Sequence, residues 1–307
     1  MEKKISILGV PMDLGQSRRG VDMGPSAIRY AGIVERLQRL GYTVQDLGNI
    51  AISEEKNNTS SEQNLNNLHA IVKTNEALAS KVDEIVKNNE FPLVFGGDHS
   101  ISIGTLAGIS QNYQNLGVIW YDAHGDLNVP ETSPSGNIHG MPLASSMGFG
   151  HELLTNIAGF APKVKPENVV MIGVRDLDQG EKVLIKKLGL KVYSMHEIDR
   201  LGMARVIEET IEYLKDKDGV HLSLDLDALD PTECPGVGTP VIGGVTYRES
   251  HLAMEMLAES NLITSAEFVE VNPILDEKNK TADVAATLMG SLFGEKILEP
   301  SGKKVII

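Results

Sequence analysis

The most constraining feature of this sequence is the alternation of short apolar, β-branched runs with longer segments that show helical spacing. The runs predicted as strands cover residues 4–10, 42–47, 92–95, 116–121, 168–174, 190–193, 219–226 and 264–271. Strands that alternate with helices form βαβ units, in which the strands run parallel and helices cover both faces. The sequence therefore predicts an α/β fold with three layers, α/β/α, around a mainly parallel, roughly eight-stranded sheet. A closed barrel of the same strands is the alternative.

The segments between the runs support this interpretation. Apolar residues recur with helical spacing in 64–88 and in 203–217. Pro25 suits the start of an earlier helix, and Gly41 suits its end. The polar stretch 53–67 is predicted to be a surface loop. Because no second linker or internal repeat interrupts the chain, we expect a single domain over residues 1–307.

Composition excludes several classes of function. A formal net charge of −14 argues against a nucleic-acid partner, which needs a basic surface, and favours a cationic small molecule. No apolar run approaches the roughly 18 residues of a membrane span, so we expect no membrane partner. The single cysteine, Cys234, fits a reducing compartment and hence a cytoplasmic location. Motifs of dinucleotide, P-loop, serine-hydrolase and zincin sites do not occur in the sequence.

Ionisable residues follow four of the predicted strands at their carboxyl ends, where open parallel sheets bind ligands. The four segments are GGDHS (96–100), DAHGD (122–126), SLDLDALDP (223–231) and EVNP (270–273). Within them, Asp122, His124 and Asp126 are spaced two residues apart, so an extended chain would point all three the same way. The same spacing places Asp225 and Asp227 on one face.

Such a concentration of buried acids is costly unless cations neutralise it. The predicted metal ligands are His99, Asp122, His124, Asp126, Asp225 and Asp227. Four carboxylates and two imidazoles suit two ions that share carboxylates. Oxygen and nitrogen ligands without a thiolate favour manganese, with zinc, cobalt or iron as alternatives. Each motif alone is weak evidence, and their coincidence at equivalent strand ends is what indicates a metal site.

Together these segments resemble the ureohydrolase family, and the arginases within it. The early stretch GVPMDLGQSRRGVDMGPSAIR (9–29) is similar to the N-terminal signature of the family. The resemblance implies an arginase/deacetylase-like fold, one catalytic domain, two Mn²⁺ per subunit and a trimer or hexamer. It also implies that L-arginine is hydrolysed to L-ornithine and urea by a metal-bridging hydroxide. One departure is Ala228, where arginases carry glycine; a turn that requires positive φ would be strained there.

The resemblance also assigns ligands and substrate contacts. One ion would take His99, Asp122, Asp126 and Asp225, and the other Asp122, His124, Asp225 and Asp227. The loop after strand 116–121 resembles the arginase loop that holds the α-carboxylate, and the segment after strand 168–174 resembles the one that meets the α-amino group. The implied substrate-binding residues are Asn128, Ser133, Ser135, Asn137, Asp178, Glu181, Thr239 and Glu270. Asp126 is the candidate proton donor to the leaving amine, and His139 is the candidate proton shuttle.

Glu270 is expected to bind the planar guanidinium at two points. The structural alternative is a buried acid paired with an arginine such as Arg248. Among functions, the closest rival is a related ureohydrolase that acts on agmatine, formimidoylglutamate or another guanidino compound. Agmatine lacks the carboxylate that the predicted hydroxyl and amide groups would bind. A single-zinc deacetylase-type hydrolase and a non-catalytic binding protein are the remaining alternatives.

Overall fold

The computed structural model describes residues 4–54 and 65–298, and one open sheet forms the middle layer. Its eight strands are β1 Lys4–Val10, β2 Thr43–Asn49, β3 Phe91–Gly96, β4 Leu116–Tyr121, β5 Val169–Val174, β6 Lys191–Ser194, β7 Gly219–Asp225 and β8 Ile263–Val269. The strand order is β2-β1-β3-β8-β7-β4-β5-β6, and every neighbouring pair is parallel. The predicted parallel sheet is therefore confirmed, and the closed barrel is wrong.

Helices cover both faces of the sheet. They are α1 Gly24–Tyr30, α2 Ile33–Arg39, α3 Leu68–Lys87, α4 Ser102–Ser110, α5 Pro142–Ser146, α6 Glu152–Thr155, α7 Gln179–Leu188, α8 Met195–Leu201, α9 Met203–Leu214, α10 Tyr247–Ser260 and α11 Lys280–Leu292. One hydrophobic core joins the sheet to α1, α2, α8, α9, α10 and α11, and a second core joins the other face to α3, α4, α5, α6 and α7. These two cores give the predicted three layers.

The position of each strand in the sheet follows from its composition. Every residue of β3, β4, β5 and β7 is buried, as expected for central strands with helices on both faces. The edge strand β2 is instead mostly exposed and carries polar side chains, which disfavour pairing with another chain. The central strands can therefore hold their carboxyl ends in fixed relative positions.

Two expectations need comment. The predicted helix from Pro25 to Leu40 is wrong as a single element, because Gly32 takes a left-handed conformation with φ of 79° and separates α1 from α2. Of the predicted surface loop 53–67, residues 55–64 lie outside the part of the chain that the structure describes. No helix within the described ranges combines the length and apolar character needed to cross a membrane.

Candidate metal centre

The site lies where four neighbouring central strands end. His99 follows β3 in a short 3₁₀ helix, Glu270 follows β8, Asp225 ends β7, and Asp122 follows β4. In the sheet these strands are adjacent in the order β3-β8-β7-β4, so their carboxyl ends meet at one edge. The sheet therefore brings together residues that are far apart in sequence, as predicted.

One side of the site is organised around His99. Its Nδ1 lies 3.0 Å from Asp122 Oδ2, 3.0 Å from Asp126 Oδ2 and 3.2 Å from Asp225 Oδ2. All four side chains are buried. An imidazole nitrogen surrounded by three carboxylate oxygens is a suitable donor set for one divalent cation.

The other side is organised around His124. Its Nδ1 lies 3.2 Å from Asp227 Oδ2 and 3.5 Å from Asp122 Oδ1. Among the described residues, two groups have ligand atoms close enough to hold an ion: His99 with Asp122 and Asp126, and Asp122 with His124 and Asp227. Asp122 belongs to both groups, which makes it the best-placed bridging ligand. Asp225 faces His99 but belongs to neither group, so its bridging role stays a prediction.

The electrostatics of the site fit bound cations. Burial and the charge of Asp122 raise the pKa of Asp126 to about 6. Burial and the charges of Asp227 and Asp122 raise the pKa of Asp225 well above its ordinary value. His99 Nδ1 and Asp126 Oδ2 are buried and make no hydrogen bond in the part of the chain described, although they lie 3.0 Å apart. Cations placed between these atoms would satisfy them and relieve the repulsion.

Turns rather than extended chain bring the ligands together, so the alternation expected for residues 122–126 is wrong. The strand β4 stops at Tyr121, and Asp122 Oδ1 then accepts a hydrogen bond from His124 N at 2.7 Å. Asp126 has a positive φ of 51°. After β7, Asp225 Oδ1 accepts in the same way from Asp227 N at 2.8 Å. The turns redirect the chain so that successive ligands still converge.

Glu270 is a buried acid, and none of the described residues gives it an arginine partner. Its Oε1 accepts a hydrogen bond from His99 N at 2.9 Å, and its Oε2 accepts one from Gln16 Nε2 at 2.7 Å. His139 Nδ1 lies 3.4 Å from Oε1. Burial raises the pKa of Glu270, but the contacts with His139 and His99 N outweigh this effect and lower it. The alternative of a pair with Arg248 is therefore wrong.

Glu270 also has a positive φ, of 66°, and Asp126 has one of 51°. Left-handed backbone at residues other than glycine costs free energy and concentrates at functional sites. Burial lowers the pKa of His139, but the hydrogen bond with Glu270 and the negative charge of Glu270 outweigh burial and raise this pKa to about 9. The His139 side chain is 18% exposed, so it connects the buried acid with the cavity.

A cavity of about 650 Å³, including its open mouth, lies above the ligands. It is lined by His99, His124, Asp126, Asn128, Ser133, Pro134, Ser135, Asn137, His139, Gly140, Asp176, Asp178, Glu181, Asp225 and Thr239. Every predicted substrate-binding residue except Glu270 is in this lining. A single cavity thus joins the metal-ligand clusters to the predicted carboxylate and amino contacts.

The loop that follows β4 and Asp126 offers hydrogen-bond donors to the cavity through Ser133 and Ser135. Ser133 Oγ accepts from Gly136 N at 3.0 Å, and Ser135 Oγ accepts from Asn137 N at 3.2 Å. A hydroxyl that accepts a hydrogen bond can still donate its own proton, so both serines can bind an anion. Asn128 Nδ2 donates to Asp178 Oδ2 at 2.8 Å. This hydrogen bond links a residue predicted to bind the α-carboxylate to one predicted to meet the α-amino group.

Two predicted substrate contacts already have structural partners. Thr239 Oγ1 donates to Asp227 Oδ2 at 3.0 Å and therefore orients a candidate ligand. Glu181 accepts from Leu127 N at 2.9 Å and from Asp178 N at 2.8 Å. Its carboxylate thus ties the start of α7 to the loop after Asp126, in addition to lining the cavity.

Several supporting residues were not predicted. Gln16 holds Glu270, while Trp120, Ser223 and Glu267 lie beneath His99. Ser223 carried a signal, since it precedes Asp225 by two positions on the same strand face. The departure at Ala228 causes no strain, because the residue lies in a 3₁₀ helix over Leu226–Ala228 and is not among the positive-φ residues of the described chain.

Comparison with known proteins gives a consistent result. A sequence model of the arginase family matches residues 3–294. The chain is 69% identical over 298 residues to an arginase of Bacillus caldovelox, covering 96% of this chain and 100% of the relative. It is 66% identical over 298 residues to an arginase of Bacillus subtilis (strain 168), covering 97% and 100%. The solved structure of the Bacillus caldovelox arginase superposes with a TM-score of 0.94 at 68% identity, covering 97% of this chain and 100% of that one.

Proposed function

Because the chain belongs to the arginase family, we propose that it acts on its substrate with two divalent cations, preferably manganese, held at the strand ends. The reaction is the hydrolysis of L-arginine to L-ornithine and urea. The observation that carries the two-cation proposal is the pair of ligand groups that share Asp122. A site for one zinc ion would have no use for the second group.

The six proposed ligands are His99, Asp122, His124, Asp126, Asp225 and Asp227. Two cations held by these residues would supply Lewis acidity and would lower the pKa of a bound water molecule towards about 7. The oxygen-rich donor set supports manganese over metals that prefer thiolates. Asp122 and Asp225 are proposed to contact both ions.

The chain's own side chains bind and orient the substrate. Glu270 presents a fixed carboxylate to the guanidinium, because His99 N and Gln16 Nε2 each hold one of its oxygens. The hydroxyls of Ser133 and Ser135, with the Asn128 amide and Asn137, are proposed to bind the α-carboxylate. Asp178 and Glu181 are proposed to face the α-amino group.

Proton transfer is proposed to involve two residues. Asp126 Oδ2 faces the ligand cluster and can deliver a proton to the leaving amine. His139 contacts Glu270 and is partly exposed, so it can exchange protons between the cavity and solvent. Thr239 lines the cavity, but its hydroxyl proton is donated to Asp227, so we propose that it positions that ligand.

The remaining predictions concern the whole protein. We propose a cytoplasmic location, which the free, buried Cys234 supports. We also propose a homo-oligomer, a trimer or hexamer, on the strength of the family resemblance alone. A single catalytic domain over residues 1–307 is supported by the one sheet that includes strands from Lys4 to Val269.

The test compares urea release from L-arginine and from agmatine, which differ in the α-carboxylate, with the manganese-loaded full-length protein. We expect arginine to be strongly preferred. Ser133→Ala should lower kcat/KM for arginine by roughly 10- to 100-fold, because a hydrogen bond to a charged group contributes about 1.5–3 kcal/mol. The same variant should leave the weak activity towards agmatine unchanged. Equal use of the two substrates by the wild type would contradict the proposed carboxylate contacts.

A further inference from the structure

A row of buried side chains crosses the sheet directly beneath His99. Strand register pairs Trp120 of β4 with Ser223 of β7, and Ser223 with Glu267 of β8. Side chains of residues paired on adjacent strands project to the same face of the sheet. All three are fully buried, and neither Ser223 nor Glu267 has a role in the proposed reaction.

The row fixes the orientation of the His99 ring. The imidazole stacks on Trp120, with the ring centroids 4.2 Å apart and an angle of 6° between the planes. Its Nε2 lies 2.8 Å from Ser223 Oγ. The opposite nitrogen, Nδ1, therefore points at the carboxylates of the proposed metal centre.

The partners of Ser223 determine which ring nitrogen carries the proton. Ser223 Oγ lies 2.7 Å from Glu267 Oε1, and Ser102 Oγ donates to the same oxygen at 2.5 Å. An ionised carboxylate can only accept hydrogen bonds, so the single hydroxyl proton of Ser223 goes to Glu267. Ser223 Oγ must then accept a hydrogen bond from His99 Nε2–H. This leaves His99 Nδ1 unprotonated, which is the form that binds a metal ion.

The surroundings of Glu267 keep its carboxyl group ionised. Burial raises its pKa, but the contact with His221 and the hydrogen bond from Ser102 outweigh burial and lower it. His221 Nε2 lies 3.3 Å from Glu267 Oε1, and His221 Nδ1 lies 3.0 Å from Ser265 Oγ. The acid is thus held by side chains from two separate elements, β7 and α4.

We propose that Glu267, acting through Ser223, is a positioning residue that fixes the tautomer of His99 and thereby sets the metal affinity on the His99 side of the centre. The inference rests on the proposed two-cation function. A carboxylate that orients a ligating histidine through hydrogen bonds raises metal affinity typically about 10- to 100-fold. Here the carboxylate acts through a serine hydroxyl rather than directly.

The experiment starts from the manganese-loaded full-length protein and measures transfer of Mn²⁺ to a fluorescent chelator of known affinity. Glu267→Gln and Ser223→Ala should each raise the Kd of one of the two ions by about 10- to 100-fold. Ser223→Thr keeps the hydroxyl and should bind close to wild type. Because Glu267 acts through Ser223, the double variant should bind no more weakly than Ser223→Ala alone. Additive losses would instead indicate two independent structural effects and would overturn the proposal.

The matched control is Ser250→Ala, which removes a fully buried hydroxyl 3.1 Å from Tyr121 Oη on the opposite face of the sheet. It should bind both ions as wild type does; a loss equal to that of Ser223→Ala would overturn the proposal. If Glu267→Gln does not fold, the comparison of Ser223→Ala with Ser223→Thr gives the result. A wild type that binds no manganese contradicts the proposed function itself. Two ions in the wild type with unchanged Kd in Ser223→Ala contradict only the positioning role.

Discussion

Replacing Asp122 with asparagine perturbs the proposed centre most sharply, because among the described residues only Asp122 belongs to both groups of candidate ligands. Asparagine keeps the shape of the side chain but removes its charge. Its amide group would also have to face either Trp120 Nε1 or His124 N, which now donate to the two carboxylate oxygens at 3.0 and 2.7 Å. We therefore expect Asp122→Asn to release both ions, whereas Asp227→Asn should release mainly the ion on the His124 side.

The size of the effect follows from linkage between metal binding and folding. An ion that binds only the folded protein stabilises it by about 4.1 kcal/mol when present at about 1,000 times its Kd. Two saturated sites then contribute about 8 kcal/mol. At about 2 °C per kcal/mol for a large domain, Asp122→Asn should lower the Tm of the manganese-loaded protein by roughly 16 °C, and Asp227→Asn by about half as much.

The metal-free protein should behave differently. There the substitution costs about 1–3 kcal/mol for the buried N–H that loses its acceptor, but it also removes one of four crowded negative charges. Because these two effects oppose each other, the Tm of metal-free Asp122→Asn should lie within about 5 °C of the metal-free wild type. The contrast between loaded and metal-free protein separates loss of ions from a general loss of packing.

The assay is calorimetric melting of the full-length protein with saturating Mn²⁺ and after chelation, with bound metal counted per chain. Asp199→Asn is the matched control, since it makes the same charge change at an exposed residue on α8. It should retain the ions and the Tm of the wild type. Retention of both ions by Asp122→Asn, or a wild-type Tm that does not respond to manganese, would refute the reasoning.

Three further predictions concern single residues. Gln16→Ala removes the 2.7 Å hydrogen bond to Glu270 and should raise KM for arginine roughly tenfold with bound metal unchanged. An unaltered KM in steady-state kinetics would count against the role of Gln16 in orienting Glu270. Ala228→Gly should lower the free energy of unfolding in urea by about 0.5–1 kcal/mol, because Ala228 is not among the positive-φ residues of the described chain and glycine would only add flexibility to the unfolded chain. A more stable variant would show that this turn favours glycine. Burial lowers the pKa of Lys163 from 10.5 to about 8, so the folded protein loses this proton at a lower pH than the unfolded protein and gains stability as the pH rises between those two values. Lys163→Met should abolish that part of the pH dependence of the free energy of unfolding in urea. An identical pH dependence in the two proteins would contradict this prediction.

The sequence was sufficient to predict the fold because the central strands are continuous apolar runs that alternate with helices. Each of the eight predicted strands overlaps an observed strand. The break between α1 and α2 could not be predicted in the same way, since apolar residues continue on both sides of Gly32. Only the positive φ at that glycine reveals that the chain turns there.

The candidate ligands were predictable because acids and imidazoles follow equivalent strand ends. Their supporting residues were not, because those contacts depend on strand order and register. The pairing of Ser223 with Glu267 exists only because β7 lies beside β8 in the sheet. Gln16 and Glu270 are 254 residues apart in the chain, and no spacing rule connects them. The turn at Asp126 likewise depends on backbone geometry that the two-residue spacing alone does not determine.

The most direct test of the central claim is anomalous diffraction at the manganese edge from crystals of the manganese-loaded protein. Two divalent cations at the strand ends require two anomalous peaks, one beside His99 and Asp126 and the other beside His124 and Asp227, with Asp122 between them. A single peak, or ligand side chains gathered as described here with no peak among them, would contradict the claim.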